Sequence, residues 1–142
     1  METGIKVGDV MKTGLVTISD GSMVYEAAKK MRDKGLSSLL VTQGNGDKIY
    51  GIITNTDIVN KAIAGGKGQD CKVKEILSKP LVGIEPEADI SDAAKLMGSE
   101  ELRRLVVLKE GKIVGILSER DIIKISPSLY DLIAEKAEGH LK

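Results

Sequence analysis

Gly51-Ile-Ile-Thr-Asn-Thr-Asp-Ile58 and Gly115-Ile-Leu-Ser-Glu-Arg-Asp-Ile122 stand 64 residues apart and share one pattern. Each reads glycine, an apolar pair, a hydroxyl residue, two variable positions, aspartate and isoleucine. The match continues upstream. Val7-Gly-Asp-Val-Met11 answers Val73-Lys-Glu-Ile-Leu77, and Leu15-Val-Thr-Ile18 answers Leu81-Val-Gly-Ile84. Val24, Ala27, Ala28 and Met31 answer Ile90, Ala93, Ala94 and Met97, and Leu36-Ser-Ser-Leu-Leu-Val41 answers Leu102-Arg-Arg-Leu-Val-Val107. The offset is 66 through these segments and falls to 64 after a hairpin shorter by two residues. Nearly all of residues 7–125 lies inside one duplication, the signature of a supersecondary unit written twice.

Both copies have the same anatomy. A short helical turn leads into a strand, expected at Leu15–Ile18 or Leu81–Ile84. A helix follows whose apolar residues recur at i, i+3, i+4 and i+7, the one-sided stripe of an amphipathic helix. Two β-branched-rich runs come next, Leu39–Thr42 with Ile49–Ile53 and Leu105–Leu108 with Ile113–Leu117. Gly-Asn-Gly-Asp and Glu-Gly between them are hairpin signals. A second helix begins near Asn55 or Glu119. The order β-α-β-β-α predicts the α+β class. One unit of about 60 residues buries too little surface to stand comfortably alone, so the two are expected to pack as a pseudo-twofold pair. The tail, Pro127–Ala137, carries Leu129, Leu132 and Ile133 at helical spacing behind Ser126-Pro127, the start of a docking helix.

Composition narrows the function classes. Formal net charge is zero and the charges are spread along the chain, which argues against nucleic acid as a partner because phosphate contacts need clustered Lys and Arg. No apolar run approaches membrane-spanning length and the start lacks a signal-peptide core. A cytoplasmic protein with no membrane partner is expected. Cys71 and His140 are the only residues of their kinds, too few for a zinc site, a Cys-His pair or a Ser-His-Asp triad. Cys71 reads as a linker residue and His140 as part of a frayed tail. Gly65-Gly-Lys-Gly68 lacks Walker spacing and reads as a linker. Met31 and Met97 fall on the core stripe. Asp89, Asp92, Glu100, Glu101 and Glu119 read as solvated helix faces and caps.

The repeated hydroxyl-x-x-Asp element has two readings. At a helix entry it is close to a capping box, with the hydroxyl accepting from the third backbone N–H and the carboxylate reaching back to the cap. The same geometry offers two carboxylate oxygens to a ribose cis-diol, beside a helix N-terminus suited to phosphate. Aspartate in both copies, where Glu or Gln suits a capping box better, favours the second reading. So do Gly51 and Gly115, which leave room for close backbone approach.

The doubled unit, closed each time by Gly-apolar-x-Ser/Thr-x-x-Asp-Ile, resembles the paired CBS domains of the cystathionine-β-synthase type over about residues 5–125. The resemblance implies tandem β-α-β-β-α repeats at 5–66 and 71–126, with a C-terminal helix or tail at 127–142. It implies a regulatory, signal-transducing module that binds an adenosyl ligand (AMP, ADP, ATP, S-adenosylmethionine or NAD) as its regulatory ligand, requires no cofactor, and is not catalytic. A homodimer and an unidentified effector protein are the implied partners. Position by position, Asp57 and Asp121 correspond to the ribose-diol ligands, and Thr54 and Ser118 to the hydroxyls near phosphate or ribose. In the family each cleft borrows from both halves. The Asp121 cleft would then use Gly14, Leu15 and Val16 with Leu36, Ser37 and Ser38. The Asp57 cleft would use Pro80, Leu81, Val82 and Leu102. Arg103 and Arg104 stand where family members often carry a basic residue for phosphate, and Arg120 adds a charge where the first copy has Thr56. The Ser118/Asp121 motif matches the family pattern more fully and is ranked as the better-equipped site. Three other functions compete: a ligand-free interaction module whose motifs are caps, a divalent-cation sensor, and an enzyme. Subtracting the repeat leaves no chain for a catalytic domain and no nucleophile–base pair, so no enzymatic activity is expected.

Overall fold

The paired apolar runs form the hairpins that their turns predict. The computed structural model describes residues 2–134. In it β2 (Ser38–Thr42) pairs antiparallel with β3 (Ile49–Thr54), and β5 (Arg104–Lys109) with β6 (Lys112–Ser118). Glu110 and Gly111 connect the second hairpin with φ of 51° and 79°, both left-handed, as a two-residue turn matched to strand twist requires. β1 (Thr17–Ser19) joins β2 in parallel, and β4 (Gly83–Ile84) joins β5 likewise, giving two three-stranded sheets of identical order. The parallel strands begin two residues later than the apolar runs Leu15–Ile18 and Leu81–Ile84 suggest. Only the carbonyls of Val16 and Val82 reach into the sheets, accepting from Leu40 and Val106 at 3.0 Å. Helices complete a mixed α+β architecture, among them the single turn α3 (Asn55–Asp57), which follows β3 and runs on as a π-helical turn at Ile58–Ile63.

α2 (Val24–Lys34) and α4 (Ile90–Glu100) turn their stripes inward. α4 buries Ile90, Ala93, Ala94 and Met97, whereas α2 buries Val24, Ala27 and Met31 and leaves Ala28 exposed. Both end in a left-handed residue. In the first copy it is Gly35 at φ 65°, but its equivalent is Glu101 at φ 55°, a conformation that costs a residue with a Cβ about 1 kcal/mol or more.

Space does not divide the chain where the repeat does. One compact unit comprises the chain up to Gly14 together with the chain from Val82; the other is Leu15–Leu81. α1 (Val7–Val10) opens the first lead segment, and a 3-10 turn at Val73–Glu75 opens the second. Val7 N–H donates to the Ala88 carbonyl at 2.8 Å, and Val73 N–H to that of Ser22 at 2.9 Å. Lys12 pairs with Ile116 on β6, and Ser78 with Ile52 on β3. These partners are repeat-equivalent, so the two lead segments have changed places. The exchange also explains Cys71. Val24 N–H bonds the Cys71 carbonyl and Ile90 N–H bonds the Ile5 carbonyl, and 5 and 71 are the same position in the two copies. Cys71 is therefore a buried member of the Leu15–Leu81 core rather than a linker residue. Burial, followed by the nearby Glu75, raises its thiol pKa, which disfavours the reactive thiolate.

Each unit has its own aliphatic core. Val7, Met97, Leu105, Leu117 and Ile122 centre one; Val24, Leu39, Val41, Ile53 and Ile76 centre the other. After α5 (Glu119–Ile125), a 3-10 turn at Pro127–Leu129 runs into a helix that is followed to residue 134. Leu129 and Ile133 are buried in the first core and Leu132 packs on it. The rest of the expected docking helix, and His140, lie outside the described residues.

Asp89 does more than cap α4. Its carboxylate accepts from the Ser91 N–H at 2.8 Å, Thr3 N–H at 3.0 Å, Thr3 Oγ1 at 2.9 Å and Gly4 N–H at 2.8 Å. The Ser91 amide, with the Thr3 donors behind it, holds the carboxyl well below its ordinary 3.8 against the opposing effect of burial. A depressed folded-state pKa contributes stability that is full above the unfolded value and is lost as pH falls through the folded one. Thermal denaturation should therefore show the melting temperature falling as pH drops below about 4. Asp89→Asn should melt a few degrees lower at neutral pH and lose part of that acid dependence. A variant with an unchanged acid profile would remove Asp89 from this role.

Candidate functional site

Both motifs sit where a strand runs out into a helix, and both close a capping box. In the first, Asp57 N–H donates to Thr54 Oγ1 at 3.1 Å, and Thr54 N–H donates to Asp57 Oδ2 at 3.0 Å. In the second, Asp121 N–H donates to Ser118 Oγ at 3.2 Å, and Ser118 N–H and Oγ both donate to Asp121 Oδ2, at 3.0 and 2.9 Å. The capping alternative is thus realised in both copies. Each box consumes one carboxylate oxygen. Both aspartates are nonetheless buried, at 7% and 8% exposure, and a buried carboxylate needs partners on its second oxygen too.

Those partners differ. Asp57 Oδ1 has Lys61 Nζ at 3.1 Å and accepts from Ser78 Oγ at 3.2 Å. Asp121 Oδ1 has Lys12 Nζ at 3.7 Å, too long for a good hydrogen bond. Lys12 is 66% exposed, so the contact is weak. Sequence reading missed all three residues. Lys61 was detectable as the i+4 neighbour of Asp57 on one helical face. Lys12 and Ser78 are the same repeat position, but nothing local says that each reports to the other copy's aspartate.

The flanking residues are held by strand pairing. Arg104 lies opposite Ser118 and Ser38 opposite Thr54. The Arg103 carbonyl accepts from Glu119 N–H at 2.8 Å, as the Ser37 carbonyl accepts from Asn55 N–H at 3.0 Å. Arg103 Nε stands 3.9 Å from Glu119 Oε1, and Arg120 is exposed. Leu36 and Leu102 pack on the cores of their own units. Gly14, Val82, Leu102, Arg103, Arg104, Ser118, Arg120 and Asp121 belong to the unit completed by the N-terminal segment. Leu15, Val16, Leu36, Ser37, Ser38, Thr54, Asp57, Pro80 and Leu81 belong to the other.

Gly51 and Gly115 require a correction. They do permit close backbone approach, but what approaches is the chain itself. A Cβ at Gly51 would stand 3.1 Å from the Ser78 carbonyl oxygen and 2.7 Å from Leu77 Cδ1. One at Gly115 would stand 3.0 Å from the Lys12 oxygen and 2.5 Å from Met11 Sδ. The glycines seat the exchanged lead segments, and with them Ser78 and Lys12.

Among the described residues, no group of three or more His, Cys, Asp and Glu could hold a metal ion. No helix there is long and apolar enough to cross a membrane.

Known proteins share this architecture. CBS-domain protein YhcV of Bacillus subtilis is 31% identical over 117 residues, 82% of this chain and 81% of its own length. A candidate signal-transduction protein with CBS domains from Burkholderia ambifaria superposes with TM-score 0.74 at 30% identity, over 81% of this chain and 85% of that one. A conserved protein of Pyrococcus horikoshii superposes with TM-score 0.81 at 25% identity, over 89% and 95%. The CBS domain model matches at residues 7–63 and again at 73–128. The chain belongs to the CBS-domain family and carries the domain twice.

Proposed function

We propose that this regulatory CBS pair binds an adenosine-containing ligand through Asp121. The observation that carries the reading is the asymmetry within that buried carboxylate. Among the described residues Oδ2 is committed to Ser118, while Oδ1 faces the solvent-exposed Lys12 ammonium at 3.7 Å. A carboxylate oxygen with acceptor capacity left is what a ribose diol needs, since its two O–H groups donate. Arg104, opposite Ser118 on β5, and Lys12 would supply cationic donors to a phosphate. A second copy of the chain is part of the proposal, with Val59, Ile63, Ile125 and Tyr130 as exposed apolar residues to cover.

The closed capping boxes favour a second reading, a ligand-free interaction module. Thermal shift separates the two. A panel of AMP, ADP, ATP, NAD, S-adenosylmethionine and magnesium should contain a compound that stabilises by about 2.7 kcal/mol at a hundredfold excess over its Kd, raising Tm by roughly 5–10 °C. No shift with any adenosyl compound leaves the interaction module standing. A shift with magnesium alone favours a cation sensor.

A further inference from the structure

Asp57 and Asp121 are equivalent by repeat, yet one is shut. Lys61 lies on the π-helical turn Ile58–Ile63 that follows Asp57. Besides its 3.1 Å ion pair with Asp57 Oδ1, its ammonium donates to the Ile76 carbonyl at 3.3 Å and approaches Ser78 Oγ at 3.4 Å. Ser78 itself donates to Asp57. With Oδ2 taken by the Thr54 amide, both oxygens of Asp57 are committed to the chain's own donors. At Asp121 the i+4 residue is Ile125, 52% exposed, which has nothing to donate. The Ser78 position there holds Lys12, at 3.7 Å.

We propose that Lys61 is an internal latch, occupying at Asp57 the place that a ligand's hydroxyl donors would take, so that each chain binds one diol-bearing ligand, at Asp121. The ligand rests on the nucleotide reading above; the latch rests on the chain's own contacts at Asp57. A ribose at Asp57 would have to displace a charge-assisted bond and leave the ammonium short of acceptors. A ribose at Asp121 displaces a long contact from an exposed lysine. Lys61 is itself 47% exposed, so its head group can be replaced without opening the core.

Calorimetry with AMP reads the stoichiometry. The natural protein should bind one AMP per chain, and Asp121→Ala should weaken that event by about one to two orders of magnitude. Lys61→Met should add a second event, tighter by about tenfold than any residual binding there and removed by Asp57→Ala. Ile125→Lys should build the missing latch and weaken the first site about tenfold. Two equivalents in the natural protein, or one in Lys61→Met, overturns the proposal. A readout without ligand is competitive lysine acylation by acetic anhydride with mass spectrometry. Lys61 should react several-fold more slowly than Lys12, and Asp57→Asn should close that gap. Equal rates in the natural protein overturn the latch. If AMP binds nowhere while Lys61 stays protected, the nucleotide reading and its single site fall, and the latch survives.

Discussion

Asp121→Ala should weaken AMP binding by about one to two orders of magnitude, the loss expected when hydrogen bonds from neutral donors to a charged acceptor are removed. The same substitution opens the capping box, because Ser118 N–H and Oγ both donate to Asp121 Oδ2, and should cost about 1 kcal/mol of stability. Stability and affinity therefore need separating. Asp57→Ala removes an equivalent cap, closed between Thr54 and Asp57, and should cost a similar stability while leaving AMP affinity within about twofold. Asp121→Asn retains an acceptor for the Ser118 amide but loses the charge, so it should keep most of the stability and still bind weakly. Calorimetry on the three variants decides. Unchanged affinity in Asp121→Ala removes the sugar-binding role, and equal losses in Asp57→Ala and Asp121→Ala would point to folding as the shared cause.

A valine at Gly115 should cost on the order of 3 kcal/mol, because the space is occupied by backbone. A Cβ there would meet the Lys12 carbonyl oxygen at 3.0 Å, with Met11 Sδ and Cγ at 2.5 and 3.0 Å. Met11 can swing away, but the Lys12 carbonyl is fixed, accepting from Ile116 N–H at 2.9 Å while Lys12 N–H bonds the Ile116 carbonyl at 2.9 Å. The lead segment must lift off β6, and Lys12 leaves Asp121 with it. Valine's own preference for strands offsets only a fraction of the loss. Denaturant titration measures the effect. Gly14→Ala is the control, since a Cβ there meets nothing within 4 Å, and it should stay within about 0.5 kcal/mol. A Gly115→Val protein of unchanged stability would contradict the close approach.

The Gly51 and Gly115 pair shows where local reading stopped. Their presence in the repeat marked close approach correctly, yet the approaching group is a lead segment distant in sequence. Asp57 and Asp121 show the same limit from the other side. The hydroxyl-x-x-Asp spacing revealed the capping box, because donor and acceptor lie three residues apart. It also raised a sugar-binding alternative that offered both carboxylate oxygens to a diol, whereas the fold takes Oδ2 for the box and brings the partners of Oδ1 from elsewhere. Cys71 looked like a linker residue because it closely follows Gly65-Gly-Lys-Gly68. It is buried because its segment docks on the Leu15–Leu81 core, as the Ile5 segment docks on the other.

From sequence alone came the duplication, the β-α-β-β-α order, the helix stripes, both hairpins and, as one of two readings, both caps. All depend on periodicity or on hydrogen bonds spanning a few residues, and such interactions are written in adjacent side chains. Only the tertiary structure decided that the lead segments change places, bringing Lys12 to Asp121 and Ser78 to Asp57. The physical reason is that two near-copies offer near-identical docking edges, at Ile52 and Ile116, to two near-identical segments. Local chemistry then gives little preference between partners, and the choice falls to chain connectivity and to packing across the whole core.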